Sequence, residues 1–155
     1  MNPMEEIKRF GFHFCLALAF TFTNAIQAQV NVAPRFTKGA NQSVLEDSNP
    51  KTVDNWARNI KPGPASELGQ EVDFIVTNNL NSLFSEQPAL SPSGTLTFTP
   101  APQASGVATV SVRLHDTGGT DGGGKDTSAA QTFTITVLGV NNAPSFELSV
   151  EEVSV

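Results

Sequence analysis

Seven residues, Val30-Asn31-Val32-Ala33-Pro34-Arg35-Phe36, return as Val140-Asn141-Asn142-Ala143-Pro144-Ser145-Phe146, identical at five of the seven positions and offset by 110 residues. A short motif returning at the interval of one small domain is the signature of a tandem array, so the two copies bracket a single folding unit. The 155 residues of the chain hold one ordinary domain with some length to spare. The expected organisation is a secretory leader over residues 1–28, one complete module over 29–143, and the start of a following module, cut short, over 144–155.

The leader is read from composition. Lys8 and Arg9 form a short basic flank, residues 10–22 are mostly apolar, and Thr23-Asn24-Ala25-Ile26-Gln27-Ala28 is small and polar. That is the three-part layout of a signal peptide, with cleavage expected after Ala28 or Ala25. The apolar stretch, interrupted by His13, falls short of the roughly 20 residues a membrane helix needs. The mature chain is therefore expected to be secreted and to carry no membrane span. Cys15, the single cysteine, lies in the leader, and His13 and Phe14 before it do not suit lipid attachment. The secreted portion thus has no thiol, disulfide or sulfur ligand for a metal. It must be held by its core alone, or by its core and bound ions. Net charge is −6, and Glu5 and Glu6 cancel Lys8 and Arg9, so all of it survives cleavage. An acidic, Lys-poor surface disfavours nucleic acid and anionic membranes.

Past the leader, short segments of alternating apolar and polar residues are separated by clusters of Gly, Pro, Asn and Asp. Leu96 and Phe98 share a face within 95–99. Ala108, Val110, Val112 and Leu114 do so within 107–115, Phe133, Ile135 and Val137 within 131–137, and Val72, Phe74 and Val76 after Gly69. Residues 35–38, 43–45, 53–60 and 83–85 are further strand candidates, and Trp56 is expected in the core of an early strand. Lys61-Pro62-Gly63-Pro64, Ser91-Pro92-Ser93-Gly94 and Pro100-Ala101-Pro102 cannot continue a strand. The glycine-rich segment 118–125 reads as a mobile hairpin loop. About seven strands with turns every ten residues or so predict an all-β fold, an antiparallel Greek-key β-sandwich.

Catalytic chemistry finds no foothold. The mature chain has one histidine, His115, and no nucleophile elbow, phosphate loop or zinc-protease helix. Alternation with Leu114 turns His115 away from the core and opposite to Asp116, so the two do not form a ready pair. Asp116, Asp121 and Asp126 surround the glycine-rich segment, but their spacing matches neither an EF-hand nor a nonapeptide calcium repeat. A solvated loop is the preferred reading there.

With the strands placed, a family resemblance emerges. Pro34-Arg35-Phe36 followed by Val44-Leu45-Glu46-Asp47 resembles the opening of a cadherin-type repeat, and Leu114-His115-Asp116-Thr117-Gly118 resembles the end of its penultimate strand. Ile135-Thr136-Val137 with Val140-Asn141-Asn142-Ala143-Pro144 is similar to its last strand and inter-domain linker. The phrases Gly94-Thr95-Leu96-Thr97-Phe98-Thr99-Pro100 and Asp126-Thr127-Ser128-Ala129-Ala130-Gln131-Thr132-Phe133 are similar to those of bacterial cadherin-like and immunoglobulin-like repeats of large secreted or surface adhesins. The resemblance spans residues 30–146. It implies a non-catalytic extracellular module at the bacterial cell surface, serving as an adhesive spacer, with adjacent repeats as its partners. It also implies calcium at the module junctions, held by Glu46, Asp47, Asn141 and Asn142 at the trailing end and by Asp116 near Asn31 at the leading end. Asn142 and Val32 stand where that pattern carries a carboxylate. The alternatives are a carbohydrate- or protein-binding module on the same fold, using the 118–125 loop, or the accessory domain of a larger secreted enzyme.

Overall fold

Alternation governs the centre of the molecule. Ala108, Val110, Val112 and Leu114, every second residue of one strand, are completely buried, while Val107, Thr109 and Arg113 at alternate positions are exposed. A pleated strand sends successive side chains to opposite faces, so this pattern can satisfy only a sheet with one face against a core. The computed structural model describes residues 29–141. The expected leader, and the expected start of a following module with Asn142, lie outside the described residues.

The described chain is all-β. Its strands are β1 (Arg35–Thr37), β2 (Gln42–Leu45), β3 (Lys51–Val53), β4 (Arg58–Lys61), β5 (Val72–Asn78), β6 (Phe84–Leu90), β7 (Leu96–Pro100), β8 (Gly106–Asp116) and β9 (Gln131–Leu138). The only helical pieces among the described residues are three single 3₁₀ turns, Ala65–Glu67, Asn81–Leu83 and Asp121–Gly123. None is long and apolar enough to cross a membrane. Four strands pair in the order β2-β9-β8-β5, three in the order β3-β7-β6, and β1 pairs with β4. The inner faces of the two larger sheets meet in one buried cluster. Leu90, Leu96 and Phe98 come from the smaller sheet, and Val110, Val112, Leu114, Phe133 and Ile135 from the larger. The architecture is a β-sandwich.

Three features depart from the sequence expectation. First, the sandwich is not wholly antiparallel: β2 runs parallel to β9, with Gln42 opposite Ile135 and Leu45 opposite Leu138. Second, nine strands replace about seven. One reason is that the 53–60 candidate splits into β3 and β4 around a turn in which Asn55 is left-handed (φ 53). Trp56 is buried as expected but sits in that turn, its Nε1–H donating to the Ala40 carbonyl at 2.8 Å and its ring 4.3 Å from that of Phe133. Third, β6 runs through Pro88. It tolerates the missing N–H because it is an edge strand whose register shifts between Glu86 and Ala89.

The buried ladder of β8 sets the stability of this arrangement. Leu114→Ala should lower the unfolding free energy by about 2–5 kcal/mol, whereas Val107→Ala on the outer face should change it by less than about 0.5 kcal/mol. Urea denaturation of both variants checks this, and equal losses would contradict the assigned faces.

Candidate functional site

The inward face of β8 ends on a carboxylate. Asp116 continues the series Ala108, Val110, Val112, Leu114 and is 1% exposed. A buried carboxylate is costly unless hydrogen bonded, and the chain supplies donors from two directions. The Gly118 N–H donates to Asp116 Oδ1 at 2.8 Å, an Asx-type turn. The side-chain amide of Asn31, from the first copy of the repeated motif, donates to the same oxygen at 2.8 Å. Asn31 Nδ2 also reaches the carbonyls of Lys125 (3.0 Å) and Gly119 (3.2 Å), while its backbone carbonyl accepts the Lys125 N–H at 3.1 Å. Gly118 must be glycine here, because a Cβ would run into the Asn31 amide. The expected proximity of Asp116 to Asn31 is thus a direct contact.

The glycine-rich segment, read from sequence as a mobile hairpin loop, is instead pinned. Gly119, Gly122 and Gly123 take positive φ so that the loop can curl round Asn31, and the turn closes through the Gly124 N–H to the Asp121 carbonyl, 3.1 Å. The carboxylates of Asp121 and Asp126 do not join that of Asp116, although the Asp116 N–H donates to the Asp126 carbonyl at 2.8 Å. Asp121 is exposed, and Asp126 accepts from the Thr127 hydroxyl at 3.0 Å.

Two further polar residues of this end escaped the sequence reading. Glu67, 5% exposed, accepts the Val32 N–H at 3.3 Å on both carboxylate oxygens and Gln29 Nε2 at 3.1 Å. Gln29 Nε2 also contacts the Ser66 hydroxyl. Gln70 Nε2 donates to Asn31 Oδ1 at 3.1 Å. The segment from Gln29 to Val32 is therefore fastened to the module that follows it in sequence.

The trailing end is built differently. Glu46, next after β2, donates its N–H to the Leu138 carbonyl at 2.8 Å, and its Oε1 accepts the Val140 N–H at 2.8 Å. Asp47, left-handed at φ 58, turns away and accepts the Gln103 N–H at 3.1 Å. Asn141 is exposed.

The donors among the described residues do not by themselves complete the calcium shell that the resemblance implies. The ion takes six to eight oxygens, several of them carboxylates. At the trailing end Glu46 and Asp47 spend carboxylate oxygens on different backbone amides. At the leading end three oxygens converge on an N–H donor. Two buried oxygens, Asp116 Oδ2 and Gln70 Oε1, have no hydrogen-bond partner among the described residues, but one carboxylate and one amide oxygen fall short of a coordination shell. Among the described residues no group of three or more His, Cys, Asp or Glu side chains is placed to hold a metal.

His115 lies on the outer face, as alternation requires. Its Nδ1 is 2.7 Å from Asp73 Oδ1 on the facing residue of β5, and its Nε2 is 3.9 Å from Asp126 Oδ2. The hydrogen bond to Asp73 raises its pKa above 6.5; desolvation opposes this, and the Asp73, Asp126 and Asp116 charges add to it. On the same sheet, Thr77, Asn78, Asn79, Thr109 and Ser111 line a shallow hollow of about 430 Å³. No protein-family model matches the chain, and no curated protein matches it either.

Asn31→Ala should cost about 1–3 kcal/mol, the price of unpaired buried acceptors. Asn31→Asp should cost more at neutral pH, because a second carboxylate then faces Asp116, and part of that loss should return on acidification. Chemical denaturation at two pH values tests both; an Asn31→Asp protein as stable as the parent would refute the contact. A second outcome concerns His115. A raised folded-state pKa contributes stability that is complete below the ordinary histidine value and lost as pH rises through the raised one. The thermal midpoint should therefore fall as pH rises from the ordinary histidine value through the raised one, and Asp73→Asn should flatten that slope.

Proposed function

We propose that this chain is a non-catalytic, secreted β-sandwich module that joins end to end with others like it, as a spacer in an adhesin-like array at the bacterial surface. The observation that carries the reading is where the two copies of the repeated motif lie. Asn31 is seated at the Asp116 end of β8, and Val140, just before Asn141, is held by Glu46 beside the Gly106 end. Ten residue steps of strand separate those ends, about 33 Å. A module that takes in the chain at one pole and releases it at the other is suited to forming a line. The resemblance to bacterial cadherin-like and immunoglobulin-like repeats, and the secretory layout of residues 1–28, point the same way. The linker, 139–142, is too short to behave as a free coil.

A second reading, a carbohydrate- or protein-binding module, draws its support from the hollow lined by Thr77, Asn79, Thr109 and Ser111, whose hydroxyl and amide groups suit hydrogen bonding to a polyol. No aromatic platform lines it. The 118–125 loop, the earlier candidate for such binding, is committed to Asn31.

A tandem protein made of the chain through Asn141, followed directly by a second copy of residues 32–141, distinguishes the readings. Small-angle scattering should show a maximum dimension greater than that of the single chain by about 40 Å. A particle with the modules side by side would sink the spacer reading. Saturable binding on a glycan array, abolished by Ser111→Phe, would move the assignment to the second.

A further inference from the structure

The two copies of the Val-Asn pair are held in complementary ways. At the leading end the asparagine side chain is the plug, seated on Asp116 Oδ1 and on the carbonyls of Gly119 and Lys125. At the trailing end the valine backbone is gripped, its N–H on Glu46 Oε1, while the asparagine side chain is left exposed. Resting on the array reading above, we infer that the Val-Asn pair is a two-sided clamp that works without a metal ion. The Val140 N–H belongs to the module behind, and the Asn141 side chain fills the Asp116 socket of the module ahead, a second copy of this fold.

Such a junction leaves little freedom. Between the Val140 N–H and the Asn141 side chain the backbone has only Val140 φ and ψ and Asn141 φ to turn about, since the peptide itself is planar. The residue after Asn141 would occupy the place of Val32, whose N–H is held by Glu67 in the same module.

The exposed apolar side chains support the same partner independently. Large exposed apolar residues concentrate at the two poles: Leu45, Leu138 and Val140, with Val107 alongside, at the trailing one, and Val30, Val32 and Leu68 at the leading one. Leu45, Leu138 and Val107 lie on the outer face of the larger sheet at its trailing end, and Ile75 lies on the same face nearer the Asp116 end of β8. Leu45 and Leu138 are direct neighbours across the parallel β2–β9 pair. Contiguous exposed apolar surface marks an interaction site, and the Leu45–Leu138 pair, beside the Val140 grip, is the part a neighbour held by the clamp would reach.

The tandem protein described above tests this, because in it Asn141 replaces Asn31 for the second module. Backbone ¹⁵N relaxation should show the two modules tumbling as one body, unchanged between EDTA and millimolar calcium. Asn141→Ala should release them and speed exchange of the second-module amide equivalent to Lys125 about tenfold, the worth of one hydrogen bond. Asn31→Ala, which empties the same socket where no module precedes it, should leave the junction as it was. Glu46→Gln keeps a carbonyl acceptor for Val140 and should leave the junction stiff, whereas Glu46→Ala should loosen it. Loosening by EDTA, loosening by Glu46→Gln as great as by Glu46→Ala, or unchanged tumbling in Asn141→Ala would each overturn the inference. An extended tandem in those cases still leaves the spacer reading standing; modules packed side by side would remove both.

Discussion

β2 runs beside β9 in the same direction, and the placement of the trailing pole follows from that pairing. Parallel neighbours cannot be joined by a tight turn, so the remainder of the module has to be threaded between them. The register is equally consequential. Leu45 opposite Leu138 brings the next residue, Glu46, against the end of β9, where its carboxylate can reach the Val140 N–H. A slip by one residue would turn Val44 outward and carry Glu46 off the chain it grips. Closure between residues nearly a hundred positions apart also makes this a high-contact-order fold, whose assembly waits on its most distant pairing.

The two poles differ in chemistry because they end different strands. β8 delivers an inward-facing position past the apolar core, and the residue there, Asp116, is a carboxylate with almost no exposure. Burial makes its partners obligatory, and Asn31, Gly118 and the curled glycine loop are arranged to provide them. The trailing pole is served by a half-formed turn after β2, where Glu46 needs only to accept one backbone N–H. One pole is therefore a socket with a defined occupant, and the other a grip on the backbone. That asymmetry allows head-to-tail joining and disfavours joining of like ends.

Much of this could be read from the residues, and the failures are local and explicable. β5, β7, β8 and β9 alternate cleanly because one face meets the core and the other is largely Thr, Ser and charged residues. β6 extends far past the 83–85 candidate because Ser85, Glu86 and Gln87 are edge residues whose strand state comes from β7, not from their own pattern. The meeting of Asp116 with Asn31 was anticipated through the family resemblance. Glu67 and Gln70 were not, since neither a carboxylate in a three-residue 3₁₀ turn nor an amide in the bend after it has a periodicity to betray it. The one available cue was Gly63, where a Cβ would collide with the Glu67 carboxylate. The glycine-rich loop differs from the mobile hairpin its composition suggests for a related reason. Its anchor, Asn31, lies 88 residues before Gly119 and 94 before Lys125, and no local signal announces a contact at that distance.

Charge bears on how such modules would hold their relative orientation. Each module, residues 29–141, carries ten acidic and seven basic side chains, a net charge of −3, and like-charged neighbours repel. With module centres about 40 Å apart, though, several Debye lengths intervene at physiological salt, so net repulsion cannot stiffen the line. Stiffness has to come from short-range contacts at the junction itself. A calcium bridge would supply them only while the free ion exceeds its dissociation constant. An uncharged amide seated on one carboxylate and two carbonyls, with apolar side chains closing around it, gains less in Coulombic attraction but has no ion to lose. For a module without a cysteine to cross-link it, a joint made from its own peptide groups would hold whether calcium is scarce or abundant.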